Sequence, residues 1–321
     1  MAHRTLGARQ SDIRGNRPGP FLSGNAGYTG DLVTGAGLCV RVADLDNDGS
    51  MVESSVMATT AVGTLEWVDH TNGALRPQDR VRLLAQFAGQ LPLVPSEVLS
   101  RLGRPSRQLV LLPPQPAPSS SIAEKAEELC RAATKHRPWV HDHSVRTFGF
   151  AQLFAQRAGV EFDLEVLWVA SMLHDVALGE GATTSSGASP CFAVRGATGA
   201  RSLAQRHGWS DEAQRRLAEA ITLHLNLRVT RRRSVEGHLL NLGSALDVAG
   251  MRARRVASAA MTTVLAEHPN DGFPFAIRRL WNMEAAGAPQ SRTRFLRHVG
   301  LGLLIRTSPL RRPLPATPAT R

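Results

Sequence analysis

One short segment constrains this chain more than any other. Between Asp163 and Leu178 apolar residues fall on every side of a helical projection: Leu164, Val166, Leu167, Trp168, Val169, Met172, Leu173 and Val176. A helix that is apolar all round sits inside a fold rather than on its surface, so the spacing predicts a central buried helix over 163–178. Yet His174 and Asp175 stand near its end. A carboxylate buried there is costly unless it is paired or binds a metal.

The same conflict recurs at three other places. His143 shares a helical face with Phe150, Ala151, Phe154 and Ala158. Asp247 sits between Leu246 and Val248, one turn beyond the small residues Gly243 and Ser244, and His224 follows Leu217, Ala220 and Ile221 on an apolar face. Taken singly, each histidine reads more readily as a hydrogen-bonded core residue than as a ligand. Taken together, four helices each aim a ligand-type side chain inward, which is how helical bundles build metal sites. Imidazole nitrogen with carboxylate oxygen suits one divalent transition metal: Zn, Fe, Mn, Ni or Co. Cysteine does not enter this set, because Cys39, Cys130 and Cys191 are scattered and form no C-x-x-C pair.

Around the 163–178 segment the pattern is helical throughout. Ser121 with Glu124 three residues on is a capping box, opening a helix to about Lys135. Helices are then predicted over 143–158 with Gly159 as stop, 193–207 before Gly208, 210–225, and 234–249 before Gly250. Three more follow at about 253–267, 273–285 and 292–305. No stretch alternates with period 2, so the fold class is all-α, a helical bundle.

The bundle spans 121–307, with 308–321 a disordered tail. Before it, the Pro/Ser-rich run Leu112-Pro113-Pro114-Gln115-Pro116-Ala117-Pro118 marks a linker over 106–120, and 59–105 holds an accessory helical unit with Val81, Leu83, Leu84, Phe87 and Leu91 on helical spacing. Residues 1–58 are rich in Gly, Ser, Thr and Asn and are expected to be disordered. Met51 and Met57 are each read as a candidate initiator. Asp44, Asp46, Asp48 and Gly49 imitate half of a calcium loop, but its twelfth position is Ser55 where a glutamate is needed, so calcium is not expected there. The loop from Gly179 to Pro190, with Glu180 and Cys191 at its ends, is read as a mobile cover over the site.

A net charge of +11 invites a nucleic-acid reading. However, lysine occurs only at Lys125 and Lys135, and the arginines form no stripe interleaved with aromatics. Arg231-Arg232-Arg233 reads as a solvated loop. No signal-peptide pattern follows Met1, and the apolar run Val299 to Ile305 is far short of a membrane span. The expectation is a cytoplasmic protein with a small-molecule substrate, free to form a homo-oligomer, with neither membrane nor nucleic acid as a partner.

In the order His143, His174-Asp175, Asp247 the sequence resembles the HD-domain superfamily of metal-dependent hydrolases, whose pattern H…HD…D places metal ligands on separate helices. Flanking words resemble its cyanamide-hydratase-like branch: His143-Ser144-Val145-Arg146-Thr147, Val194-Arg195-Gly196-Ala197, His207-Gly208-Trp209, Ala220-Ile221-Thr222-Leu223-His224 and Ala245-Leu246-Asp247-Val248. The likeness covers about residues 120–305. Two departures stand out: Ala177 follows Val176 where many relatives have glycine, and the fuller ligand set of dinuclear relatives is missing.

The resemblance implies metal ligation by His143, His174, Asp175 and Asp247. Asp175 would also orient the attacking water, and His224 would serve as acid or base. Arg146 would face an anionic substrate or brace Asp175, and Arg195 is a weaker candidate for substrate binding. The reaction implied is hydrolysis of a small-molecule or nucleotide phosphate. Water addition to a nitrile such as cyanamide, and a catalytically silent HD module, are the alternatives.

Overall fold

The chain divides into two units, Met1–Ser55 and Val56–Arg321. A computed structural model describes residues 61–90, 112–179, 189–256 and 258–311, all within the second. The expectations for residues 1–58, for the calcium-like loop, for Leu91, for Glu180 and for the tail beyond 311 lie outside the described residues.

Among the described residues there are twelve α-helices, two 3₁₀ turns and no strand. The helices are α1 (Leu65–Thr71), α2 (Pro77–Gln90), α3 (Ser121–Ala133), α4 (Pro138–Ala158), α5 (Leu164–Leu173), α6 (Phe192–Arg206), α7 (Asp211–Leu223), α8 (Val235–Ala249), α9 (Ser258–Glu267), α10 (Phe273–Gly287), α11 (Arg292–His298) and α12 (Leu301–Arg306). The all-α class and helical-bundle architecture read from the sequence are those observed.

Local chemistry sets the boundaries. Asp163 caps α5 by accepting from the Val166 amide, and Ser234 caps α8 by accepting from Gly237. The cap of α3 is Ser120, one residue before the serine read from the sequence. Helix α4 starts at Pro138, earlier than the predicted 143, because a proline at the first position gives up no hydrogen bond. The predicted helix over 292–305 is two helices, parted at Gly300, whose φ of 95° breaks the ladder.

Helix α5 is the buried centre: Val166 through Leu173 are all buried. Helices α3, α4, α6, α7 and α8 pack around it. The most extensive helix pair is α4 with α8. Their approach is as close as backbone allows, because a Cβ on Gly243 would lie 2.3 Å from the Thr147 carbonyl oxygen and 3.1 Å from the Ala151 nitrogen. The Pro-rich stretch is docked along α4, where Gln152 and Gln156 side chains bond the backbone of Gln115 and Leu112.

A second apolar cluster ties α1 and α2 to α10–α12 through Trp67, Leu83, Phe192, Phe273, Ile277 and Leu296. Trp67 lies under the buried Arg292 guanidinium at 5.4 Å. The accessory helices thus pack on the bundle itself, although Val81 and Leu84 remain exposed. Cys130 and Cys191 are buried free thiols, and burial pushes the Cys130 thiol up to about 11.

Candidate metal centre

Helix α5 ends at Leu173, and His174 is its C-cap. Helix α7 ends at Leu223, and His224 is its C-cap. The two histidines solve the same problem in the same way. The last carbonyls of a helix lack intrahelical donors, and each ring turns back to supply one. His174 Nδ1 donates to Ser171 O at 2.7 Å, and His224 Nδ1 donates to Ile221 O at 2.6 Å. A carbonyl can only accept, so the proton sits on Nδ1 in both rings and each Nε2 presents a lone pair.

His143 reaches the same point from the middle of α4. Its Nδ1 faces Asp247 Oδ2 at 2.7 Å, which leaves its Nε2 towards His174 Nε2 at 3.2 Å. Asp175 completes the group: Oδ2 is 3.5 Å from His143 Nε2, and Oδ1 is 3.6 Å from His174 Nε2 and 3.5 Å from His224 Nε2. Asp175 Oδ1 is buried and accepts no hydrogen bond.

His143, His174 and Asp175 are all buried, and one ligand atom from each lies within 4.8 Å of the others. With every ring neutral, lone pairs and a carboxylate would face one another there, an arrangement that a cation or a proton on His143 Nε2 relieves. The residues present therefore fit a divalent metal.

The electrostatics agree. Burial holds His174 down to about 3, so it stays neutral. Burial also opposes charge on His143, but hydrogen bonds to Asp175 and Asp247 outweigh it and raise its pKa, so without a metal the extra proton resides there. Burial would push Asp175 up, yet the imidazoles around it hold it well below the ordinary carboxylate range. Asp247 is likewise buried and held low, chiefly by the charge of Arg146.

Asp247 was expected as the fourth ligand. Both its oxygens are already engaged: Arg146 Nε donates to Oδ1 at 2.8 Å, and Arg146 Nη2 donates to Oδ2 at 2.9 Å beside His143. The structure thus brings Asp247 to the centre through His143. Arg146 was expected to face substrate or to brace Asp175. It is wholly buried, braces Asp247 instead, and also donates to Pro269 O.

Arg195, the other candidate for substrate contact, is mostly buried and occupied by Glu284 at 2.8 Å and by the carbonyls of Ser189 and Ala177. Neither arginine could be placed from sequence, because each partner carboxylate lies about ninety residues or more away along the chain.

Sequence reasoning missed the aromatic surround. Phe273 stacks on His143 at 4.8 Å with an interplanar angle of 20°, its ring also lies 4.8 Å from the Arg146 guanidinium carbon, and Phe192 lies 5.8 Å from His224. Nothing in the spacing of Phe273 marks it out. Elsewhere, a surface cleft of about 580 Å³ is lined by Arg216, Arg231, Arg232 and Arg233 but also by Glu161, Asp163, Glu219 and Glu236.

Residues 140–255 match the family described as HD domain. This part of the chain is an HD domain. His143, the His174-Asp175 dipeptide and Asp247 all fall inside the matched span. No curated protein matches the chain. Among the described residues, no helix is long and apolar enough to cross a membrane. The HD domain therefore carries a buried His-His-Asp cluster able to bind a metal, with His224 beside it.

Proposed function

We propose that this HD domain is a metal-dependent hydrolase that activates water at His143, His174 and Asp175, acting on a small-molecule or nucleotide phosphate. The observation that carries the reading is the buried cluster in which the Nε2 atoms of His143 and His174 converge beside the orphaned Oδ1 of Asp175. Those three side chains would hold the metal, and His224 is the next nearest donor.

A divalent metal bound there lowers the pKa of water and polarises a substrate oxygen. Asp247 keeps the Nδ1 proton of His143 in place and so keeps Nε2 aimed at the centre. Asp175 Oδ1 accepts a hydrogen bond from the attacking water and orients it. His224 Nε2, 3.5 Å from Asp175 Oδ1, would take the water's proton.

One observation favours a second reading for the substrate. Arg146 and Arg195 spend their charge on Asp247 and Glu284, and aromatic rings from Phe273 and Phe192 flank the histidines. Such a site suits a small uncharged substrate, as in addition of water to a nitrile such as cyanamide.

The test is to reconstitute the protein separately with Zn, Mn, Fe and Ni, then assay nucleoside mono-, di- and triphosphates for phosphate release and cyanamide for urea. Phosphate release abolished by Asp175→Asn supports the first reading, and urea formation alone moves the assignment to the second. Metal binding with neither activity leaves a binding module and overturns both.

A further inference from the structure

Immediately after Asp175 the chain makes a tight turn through Ala177, Leu178 and Gly179, and each of these residues is gripped by a charged side chain from a different part of the fold. Arg195 Nη2, from α6, donates to Ala177 O at 3.0 Å. Arg137 Nη1, from the residue before α4, donates to Leu178 O at 2.5 Å. Glu284 Oε2, from α10, accepts from the Gly179 amide at 3.1 Å. The other oxygen of Glu284 takes Arg195 Nη2 at 2.8 Å, and Arg195 Nη1 holds Ser189 O at 2.9 Å. One ion pair thus joins the turn leaving Asp175 to the chain that returns at Ser189.

The turn cannot find another shape easily. Gly179 has a φ of +84°, and a Cβ there would meet Leu280 Cδ1 at 2.3 Å and Arg137 Nη1 at 2.7 Å. Glu284 is fully buried and Arg195 nearly so. A buried ion pair of this kind contributes little net stability against an apolar pair of the same size, so stability alone gives no reason for charge at these two positions. Geometry does: a planar guanidinium can hold two carbonyls and a carboxylate at once.

We propose that the Arg195–Glu284 pair is a positioning element for Asp175, fixing the backbone turn that follows it and so the direction in which its carboxylate meets His143 and His174. The proposal rests on the reading of Asp175 as a metal-holding residue.

The experiment uses the double variant Arg195→Met/Glu284→Leu in the full chain, with Arg216→Met as a control that breaks a different pair, Arg216–Glu236. Three quantities are measured: melting temperature, affinity for Zn and Mn by calorimetry, and amide exchange at Leu178 and Gly179. The double variant is expected to keep its melting temperature within a few degrees, to lose about tenfold to hundredfold in metal affinity, and to exchange Leu178 and Gly179 faster. The control keeps the affinity and exchange of the parent.

A folded double variant with parental affinity and parental exchange at Gly179 overturns the proposal. Should the double variant not fold, Arg195→Lys, which keeps the charge but loses the fork, is read by the same two measurements with the same signs. If Asp175→Asn binds metal normally, the reading of the metal site fails, and exchange at Gly179 still decides whether the pair fixes the turn.

Discussion

Asp247 Oδ2 lies 2.7 Å from His143 Nδ1, so a carboxylate on α8 decides which nitrogen of a ring on α4 carries the proton. Asp247→Asn keeps the shape but can present an amide donor to His143 and loses the charge that Arg146 neutralises. It is expected to weaken metal binding by about tenfold to hundredfold, as partners of metal-binding histidines do, whereas Asp175→Asn should abolish it. Calorimetric titration of both variants separates the two roles, and equal losses would mean that Asp247 also touches the metal.

Removing the other side of that pair should act on stability. Arg146→Met strands a buried carboxylate and is expected to cost about 3–5 kcal/mol. Urea unfolding of the metal-free protein measures it, and a loss under 1 kcal/mol would contradict the buried pairing.

Metal affinity should climb with pH across the ordinary range of histidine. His143 has a raised pKa, so the metal-free site holds a proton above pH 6.5 that any metal must displace. Titrations at successive pH values are expected to show affinity rising until the pH passes the pKa of His143, with proton release on binding. Without metal the stability has the opposite slope there. The raised pKa of His143 stabilises the fold fully below pH 6.5, and that part is lost as pH rises through its folded value; Asp175 and Asp247, held low, contribute above pH 3.8 and lose it as pH falls through theirs.

His224→Ala should lower turnover by about 10²-fold while leaving most metal bound, the usual contribution of a positioned base. Its Nε2 faces Asp175 at 3.5 Å, outside the tightest three-residue group. Metal content, melting temperature and turnover from one preparation distinguish the outcomes. Loss of metal would make His224 a ligand, and loss of stability alone would make it a core residue.

Much of this site was legible in the chain because its physics is local. The all-round apolar face of α5 announced burial, and burial made His174 and Asp175 conspicuous. Gly159 and Gly250 mark helix ends with φ of 58° and 63°, as a left-handed cap requires. The roles of Arg146 and Arg195 were not legible, since an arginine at helical spacing looks the same whether it meets substrate or a carboxylate from a distant helix. The histidine tautomers were hidden for a related reason: they depend on where α5 and α7 stop, and the periodic pattern over 163–178 ran past the point where α5 yields to a turn.

The ring of Phe273 lies flat on His143, and Glu284 holds the turn after Asp175, yet both belong to α10, beyond the 140–255 span by which the family is recognised. A fragment excised at residues 140 and 255 would keep every proposed ligand and lose the ring stacked on one of them, the carboxylate behind another and the guanidinium of Arg137. The contacts that surround the cluster therefore extend past the recognisable span into α10.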